Sequence, residues 1–442
     1  MINPTKFQTK TFSQHQKGQQ ITSILAAAID AVEPGEVIKR FVHRDENILS
    51  IAGQHYDLKD YENIYLVAFG KASLPMSFAL IEILGENFQH GWIVPKHTGS
   101  FSDPRLIIKP GSHPLPDETS LHAGEMLLEA ADSFTEKDLV FCLISGGGSA
   151  LITAPYAGVS LADMRELTRQ LLACGARIDE INTLRRHLDR IKGGGLAKRI
   201  APATIVSLIL SDVVNSPLEA IASGPTAPDP STLQDVWQIL EMYNLMGKIP
   251  QTIVSHFKKN IETPKPGDAL FSRVSNILVG SNEIASQAAA EKAHQLGFET
   301  KNLGNDWQGE AREVAKTLTQ KLSTSSNTPL CMIAGGETTV TLKGSGKGGR
   351  NLELALAGVP FLDGLPDVML VTLATDGEDG PTDAAGAAVT GDTASKAREL
   401  GLDPEKYLNN NDSYHFFSSL RDLLKPGPTG TNVNDLTFIF QF

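Results

Sequence analysis

Short, continuously apolar segments alternate along the chain with longer segments in which apolar residues recur at helical spacing. In the first half the apolar segments are NIYLVAFG (63–70), GWIVPK, DLVFCLIS and ATIVSLILSD. Helical spacing is found at 20–33, 118–133, 160–175 and 178–200. Because strands that are apolar at every position are buried on both faces, this pattern predicts a Rossmann-like parallel sheet with helices on both faces.

A second series of the same kind follows the segment IETPKPGDALFS (261–272), which is rich in proline, glycine and charge and is typical of a linker. It includes VSNILVG, LCMIAGG, TTVTLKG, NLELALAGV, DVMLVTLATDG and a closing DLTFIF. We therefore predict a polar, poorly ordered arm at 1–19, an N-terminal Rossmann-like domain at 20–265 and a smaller C-terminal α/β domain at 266–442.

Composition and charge narrow the class of protein. The chain has 442 residues, 41% of them hydrophobic and 20% charged, and a formal net charge of −12. Such a charge argues against non-specific nucleic-acid binding, and no apolar run approaches the ~18 residues of a membrane span. The N-terminus lacks the features of a signal peptide, and the three cysteines are widely spaced. These features predict a cytoplasmic protein with reduced thiols.

Glycine-rich turns recur where predicted strands end. The clearest is Gly146, Gly147, Gly148 and Ser149 after DLVFCLIS, and Lys71 follows LVAFG directly. In parallel α/β sheets ligands bind beyond the carboxyl ends of the strands, where glycine lets the backbone approach phosphate oxygens. One such turn alone is more often a tight connection, but several turns that carry charged residues favour phosphate binding.

Carboxylates also follow predicted strands. Asp212 ends the run IVSLIL, Glu337 follows Gly335 and Gly336, and Asp376 follows VTLAT. Asp212 is suited to hold Mg²⁺ or to accept a proton from an attacking hydroxyl, and equally to cap the next short helix. Asp376 is a candidate for Mg²⁺ or a substrate hydroxyl, and Glu337 is a similar case.

The segment GSGKGGRNLELALA (344–357) matches G-x-G-x-x-G and carries Lys347 and Arg350. Two cations at this position favour phosphate more than a neutral hydride carrier, and the sequence is not a Walker A motif. The alternative is a flexible, solvated hairpin.

Three further side chains have a structural and a functional interpretation. Arg186 and Arg190 lie near the end of a predicted helix, where cations are favoured in any case. Recognition of a substrate carboxylate by one of them is the sharper alternative. His113, in SHPLPD, is either a polar loop residue or a substrate contact.

Several long motifs together resemble the type II glycerate kinase family, whose C-terminal domain is named for a multi-organism motif rich in Arg and Leu. They run from about residue 65 to the C-terminus and include VAFGKAS, LISGGGSALITAP, INTLRRHLDRIKGGGLA, SDVVNSPLEAIASGPTAPDPST, GGETTVTLKGSGKGGRNLELAL and TGTNVNDL. The resemblance implies ATP-dependent phosphorylation of D-glycerate at the 2-hydroxyl, giving 2-phosphoglycerate, in a cleft between two α/β domains.

Some of the expected site residues follow from the matching motifs, and others from the residues themselves. The resemblance implies that Lys71, Asp212 and Arg350 are catalytic and that Gly146, Gly147, Gly148 and Ser149 lie near the nucleotide phosphates. Further nucleotide contacts are expected from Gly335, Gly336, Glu337 and Lys347, and substrate contacts from Arg186, Arg190 and Asp376. The hypothesis places Mg²⁺ between the β- and γ-phosphates, with Asp212 as its ligand or as the base. It places Lys71 and Arg350, from different domains, at the same triphosphate.

Two other functions compete with the kinase. The first is an NAD(P)H-dependent hydroxypyruvate reductase, a label that this family has also carried; no acidic residue follows 344–349 in a clear ribose-binding position. The second is a nucleotide sensor without catalysis. The expected partner is a small molecule, with no nucleic acid and no membrane, and a homodimer is compatible with the sequence.

Overall fold

A computed structural model describes residues 1–99, 103–322 and 329–442. Its α-helices, α1 to α17 in chain order, are Lys10–Gln14, Gly18–Asp30, Pro34–Phe41, Ser73–Leu84, Glu118–Ala131, Gly148–Leu151, Leu161–Ala173, Ile178–Arg186, Gly195–Ile200, Leu233–Met242, Gln251–Phe257, Asn282–Gln295, Ala311–Thr319, Arg350–Leu362, Thr393–Glu399, Pro404–Asn409 and Ser413–Leu420. Its strands, β1 to β16, are Val42–Asp45, Ile48–Ile51, Gln54–Asp57, Asn63–Phe69, Phe88–Val94, Leu106–Ile108, Asp138–Ser145, Thr204–Leu210, Val274–Gly280, Glu299–Asn302, Trp307–Glu310, Leu330–Thr339, Val368–Ala374, Gly386–Thr390, Leu423–Leu424 and Asp435–Gln441.

The chain forms two compact units. One, here called the central unit, is Val37–Val279; the other, the terminal unit, combines Met1–Glu36 with Gly280–Phe442. This division differs from the predicted boundaries, because the first 36 residues group with the C-terminal part of the chain.

The central unit contains a six-stranded sheet in the order β6-β5-β4-β7-β8-β9, and the pairs from β6 to β8 are parallel. Every position of β7 is buried, as expected for a central strand covered on both faces. The predicted α/β class is confirmed here, and the carboxyl ends of β4, β7 and β8 lie side by side. That edge places Lys71, the triple-glycine turn and Asp212 near one another.

Helices and a small sheet complete the central unit. Helices α7, α8, α10 and α11 share an apolar cluster that includes Leu167, Leu184, Leu240 and Phe257. Strands β1, β2 and β3 form an antiparallel meander. The helix predicted over 178–200 is interrupted, since α8 ends at Arg186 and α9 begins at Gly195.

The terminal unit has a seven-stranded mixed sheet among its described residues. Its order is β10-β12-β16-β13-β14-β15, and β11 also pairs with β12. Strands β10 and β11 run parallel to β12, while β16 lies antiparallel between β12 and β13. The segment TTVTLKG (338–344) is not a separate element, because β12 continues to Thr339 and ends there.

Residues 1–19 are ordered, in contrast to the predicted arm. Phe7, in a short 3₁₀ helix, and Phe12, in α1, are 0% and 2% exposed. Two buried aromatic rings explain why this polar segment is fixed to the unit that contains it.

None of the helices in the described parts of the chain is long and apolar enough to cross a membrane.

Candidate active site

Lys71 stands where β4 leaves the sheet of the central unit. Gly70 before it has φ +119°, and a Cβ there would lie 2.2 Å from Ser145 Oγ. The Lys71 N–H donates to the Gly146 carbonyl at 2.9 Å, and the Ala72 N–H donates to Ser145 Oγ at 3.0 Å. These bonds join the ends of β4 and β7, so the exposed Lys71 side chain starts from a fixed backbone.

The triple-glycine turn packs against protein groups on two sides. A Cβ on Gly146 would lie 2.0 Å from Asp212 Oδ2, and one on Gly148 would lie 2.9 Å from the Phe69 ring. Gly147 adopts φ +81°, which other residues rarely do. At Gly146 and Gly148 the absence of a side chain is therefore required by the protein itself, whatever the turn binds.

Asp212 lies two residues beyond β8, against Gly146. Burial raises the pKa of its carboxyl above the ordinary value, while the charge of Lys71 opposes that shift. The alternative role as a helix cap is wrong, because the next helical turn begins at Ile221 and its N-cap is Ala220. Asp212 is therefore a partly buried carboxylate beside a lysine, at the end of a parallel strand.

His113 joins this cluster and was not among the principal predicted site residues. A Cβ on Gly147 would lie 3.0 Å from His113 Cδ2 and 3.4 Å from Lys71 Cγ. Burial lowers the pKa of His113, and the positive charges of Lys71 and Lys96 lower it further. The imidazole is therefore neutral at neutral pH. The SHPLPD motif was the sequence signal for His113, but a polar residue on a surface loop would explain the histidine as well.

Ser149 is held by two neighbours. Its Oγ lies 2.8 Å from Ser223 Oγ, and its carbonyl accepts a hydrogen bond from Lys192 at 2.9 Å. Hydrogen bonds to other parts of the central unit therefore fix the last residue of the turn that is predicted to bind phosphate.

Arg186 and Arg190 have protein partners in the central unit. Arg186, 6% exposed, lies with its Nε 2.9 Å from Asp229 Oδ1. Arg190 pairs with Glu125 and donates to the Pro155 carbonyl at 3.3 Å. A substrate carboxylate would have to compete with these groups, so the substrate role of both arginines stays a prediction.

In the terminal unit, Arg350 begins α14 and is held by two carboxylates. Its Nε donates to Asp435 Oδ2 at 2.5 Å, and its Nη1 donates to Glu337 Oε1 at 2.6 Å. Burial alone would lower the pKa of Arg350, but the two acidic partners raise it. The side chain remains 32% exposed, so part of the guanidinium edge is accessible.

Gly335 and Gly336 lie within β12. Atoms of other residues occupy the space where their side chains would be. A Cβ on Gly335 would lie 1.7 Å from Asn282 Oδ1, and one on Gly336 would lie 2.1 Å from the Trp307 carbonyl oxygen. Both glycines thus have an internal packing reason, and their nucleotide role stays a prediction.

The loop 344–349 is packed against α17 and the residues before it. A Cβ on Gly346 would lie 2.4 Å from Asp412 Cβ. The Lys347 N–H donates to Asp412 Oδ1 at 2.9 Å, and Lys347 Nζ lies 4.3 Å from the centre of the Tyr414 ring. The loop is neither a hairpin nor free of partners.

Asp379 occupies the N-terminus of α14. Its carboxylate accepts hydrogen bonds from the N–H groups of Asn351 at 3.1 Å and Leu352 at 2.8 Å. Burial and the neighbouring charge of Asp435 raise the pKa of Asp379 to about 7. Because a carboxyl group already fills this helix end, the phosphate predicted for G-x-G-x-x-G would have to bind elsewhere along the loop.

Asp376 follows β13 in a turn. Its Oδ1 accepts from the Glu378 N–H at 3.2 Å, and its carbonyl accepts from the Thr429 N–H at 3.1 Å. These bonds shape the turn, and its substrate role stays a prediction.

The site offers few side chains that could bind a metal ion. The described residues contain no group of three or more His, Cys, Asp or Glu side chains placed to hold an ion. Mg²⁺ in kinases is commonly bound by one or two carboxylates together with substrate phosphates. Asp212, a carboxylate beside the glycine turn, fits that mode of binding.

Comparison with known proteins extends over nearly the whole chain. Residues 20–258 match the family described as a domain of unknown function (DUF4147), and residues 330–435 match the MOFRL family. A glycerate 2-kinase of Pyrococcus horikoshii is 38% identical over 93% of this chain and 94% of its own length. A D-glycerate 2-kinase of Thermotoga maritima is 39% identical over 93% of this chain and 95% of its own length. The crystal structure of a glycerate kinase from Thermotoga maritima superposes with a TM-score of 0.85 at 37% identity, covering 96% and 99% of the two chains.

Proposed function

Since the chain belongs to the type II glycerate kinase family, we propose that it transfers the γ-phosphoryl group of ATP to the 2-hydroxyl of D-glycerate. The products are 2-phosphoglycerate and ADP. The observation that carries the proposal is the cluster of Lys71, Asp212 and the turn at 146–149, which gathers at the carboxyl ends of three adjacent parallel strands.

The turn at 146–149 is the proposed seat of the ATP phosphates. The Lys71 side chain passes beside this turn, with its Cγ 3.4 Å from a Cβ built at Gly147, and it is exposed, so its ammonium is the proposed contact to a phosphate oxygen. In phosphoryl transfer, catalysis rests on positioning and on stabilisation of charge as it develops. Lys71 supplies such charge beside the turn.

Asp212 is the proposed partner of the glycerate hydroxyl or of Mg²⁺. Bound Mg²⁺ would neutralise phosphate charge, as in other kinases. Both roles use the charged carboxylate, which the ammonium of Lys71 favours against the effect of burial. His113 also lies beside Gly147 and gives the same region a neutral hydrogen-bonding ring.

Arg350 is the third proposed catalytic residue. Asp435 and Glu337 fix the guanidinium by its Nε and Nη1, and the accessible edge keeps donors for phosphoryl oxygens. A guanidinium held in this way is pre-organised for bidentate binding of phosphate. The nucleotide roles of Gly335, Gly336, Glu337 and Lys347, the cytoplasmic location and the homodimer stay predictions.

The direct test is phosphorus NMR of purified protein incubated with ATP, Mg²⁺ and D-glycerate. A new monoester signal that matches 2-phosphoglycerate, with stoichiometric ADP, is the expected result. Formation of the 3-phosphate would correct the position of transfer, and absence of glycerate-dependent ADP would support a nucleotide sensor instead. Consumption of NADH with hydroxypyruvate would support the reductase.

Lys71→Met tests the proposed centre itself. We expect kcat to fall by about 10²-fold or more, because the transition state loses a positive charge that nothing else replaces. Lys137→Met is the matched control, since this exposed lysine pairs with Glu62 on the surface of the same unit. A nearly normal kcat for Lys71→Met would remove Lys71 from the catalytic set.

A further inference from the structure

Lys192 is a buried lysine that the proposed chemistry does not use. It lies between α8 and α9, and the residue is 3% exposed. Its ammonium donates to the carbonyl of Ser149 at 2.9 Å and to that of Ile152 at 3.1 Å. Both carbonyls belong to the short segment that follows the triple-glycine turn.

Asp189 binds the same segment. Its Oδ2 lies 3.5 Å from Lys192 Nζ and accepts hydrogen bonds from Thr153 Oγ1 at 2.7 Å and from the Ala154 N–H at 3.1 Å. Lys192 and Asp189 together therefore bind four groups between residues 149 and 154. Both side chains are almost wholly inaccessible to solvent.

A buried ion pair is an expensive way to stabilise a fold. Removing two charges from water costs several kcal/mol per ion, and apolar residues of similar volume often stabilise a protein equally well or better. The charge is therefore better explained by the direction it imposes on the carbonyls. Lys192 donates to the carbonyls of Ser149 and Ile152, which accept no hydrogen bond from a further helical turn because α6 ends at Leu151.

We propose that Lys192 is a positioning residue for the nucleotide turn. By holding the carbonyls of Ser149 and Ile152, it keeps the backbone N–H groups of 146–149 directed at the bound phosphates. This inference rests on the proposed function, in which that turn binds ATP.

Three variants separate positioning from plain stability. Lys192→Met removes the ammonium and retains the side-chain length, but leaves Asp189 buried without its partner. Asp189→Asn with Lys192→Met removes both charges and so relieves that penalty. Leu171→Ala is the matched control, because this 0% exposed leucine packs in the α7, α8, α10 and α11 cluster of the same unit.

The readouts are the melting temperature, kcat, the KM for ATP and for D-glycerate, and ADP affinity by calorimetry. For Lys192→Met we expect the KM for ATP to rise about 10-fold or more and ADP affinity to fall equally, with the KM for D-glycerate within about 2-fold. The double variant should regain melting temperature without regaining nucleotide affinity. Leu171→Ala should lose melting temperature and keep its KM for ATP.

Nucleotide affinity that recovers in parallel with melting temperature in the double variant would overturn the proposal, as would unchanged affinity in both variants. If Lys192→Met does not fold, the double variant decides. The calorimetry needs no turnover, so an inactive wild type that still binds ADP refutes the kinase while Lys192 is still tested. A wild type that binds no nucleotide refutes both.

Discussion

Gly146 lacks a side chain because a neighbouring side chain occupies that space, although the sequence suggested that a ligand does. The triple glycine predicted a close approach of phosphate, yet the nearest group to a Cβ at 146 is the carboxylate of Asp212. The glycine therefore fixes the distance between the turn and the proposed catalytic carboxylate. A substitution of Gly146 would therefore affect activity through Asp212, in addition to any effect on phosphate binding.

Gly146→Ala is accordingly expected to displace Asp212. A contact of 2.0 Å cannot be accommodated without a shift of the carboxylate or of the turn. We expect kcat to fall by about 10-fold or more in steady-state assays. Gly247→Ala is the control, because no atom lies within 4 Å of a Cβ built there; equal activity of the two variants would contradict the account.

Asp379 makes the stability of the protein depend on pH. Its pKa is raised to about 7 by burial and by Asp435, from an ordinary value of 3.8. The folded state therefore keeps a proton that the unfolded chain releases, and the resulting stabilisation is complete below pH 3.8 and lost as the pH rises through about 7. The protein therefore loses stability as the pH rises from about 4 to about 7.

Asp379→Asn should abolish that component. We expect the urea midpoint of the wild type to fall relative to that of the variant as the pH is raised from about 4 to 7. The contribution to the unfolding free energy is at most ~1.4 kcal/mol per pH unit. Asp392→Asn removes an exposed carboxylate from the same unit and serves as the control. Parallel profiles for wild type and Asp379→Asn would disprove the assignment.

At the scale of elements, the strands of the central sheet could be predicted and the break in one helix could not. The runs that became β4, β7 and β8 are apolar because both faces of a parallel sheet are covered. The stretch 178–200 keeps helical spacing, but Asp189 pairs as a β-bridge with Pro155. Contacts with a distant segment overrode the local pattern, which no reading of 178–200 alone reveals.

The two halves of the candidate site differ in the same way. Lys71 and Asp212 were predictable because each lies two residues beyond the end of its own buried strand. The partners of Arg350 were not, since Asp435 is 85 residues away in the chain and meets it only because β16 inserts between β12 and β13. Antiparallel insertion of a last strand leaves no local signal in the sequence.

The contact between α14 and β16 fixes the position of the Arg350 side chain. Asp435 accepts two hydrogen bonds from the Arg350 guanidinium, from Nε at 2.5 Å and from Nη2 at 3.3 Å. Asp435→Asn should weaken this two-point contact and lower kcat about 10-fold, with a smaller effect on the KM for ATP. Asp363→Asn is the matched control, because it removes the carboxylate partner of Arg398 at an exposed site of the same unit. Loss of melting temperature without loss of kcat would show that Asp435 serves only the fold.

At the scale of the whole molecule, the terminal unit is built from both ends of the chain. The Thr11 N–H and Oγ1 donate to the two carboxylate oxygens of Asp422 at 2.7 and 2.9 Å. Thr431 Oγ1 donates to the Val32 carbonyl at 2.7 Å. The first sixty residues carry no distinctive motif, so their partners some 400 residues away could not be inferred from the sequence.

Residues 280–442 expressed alone should therefore fail to fold cooperatively. Without residues 1–36 the unit loses the buried rings of Phe7 and Phe12 and leaves the Asp422 carboxylate without its Thr11 donors. Each buried ring contributes about 2–3 kcal/mol, and a buried acceptor without donors costs about 1–3 kcal/mol. The sum is comparable with the whole stability of a small domain.

A permuted chain, 280–442 followed by a glycine-serine linker of about ten residues and then 1–36, should restore folding. The rings of His15 and Phe442 lie 4.2 Å apart between centres, so the C-terminal residue packs beside the residue that follows α1. Circular dichroism with urea titration would compare the two chains. A sharp transition for 280–442 alone would mean that these residues fold without the N-terminal segment, which then only packs on their surface. A sharp transition only for the permuted chain would show that they are part of its core.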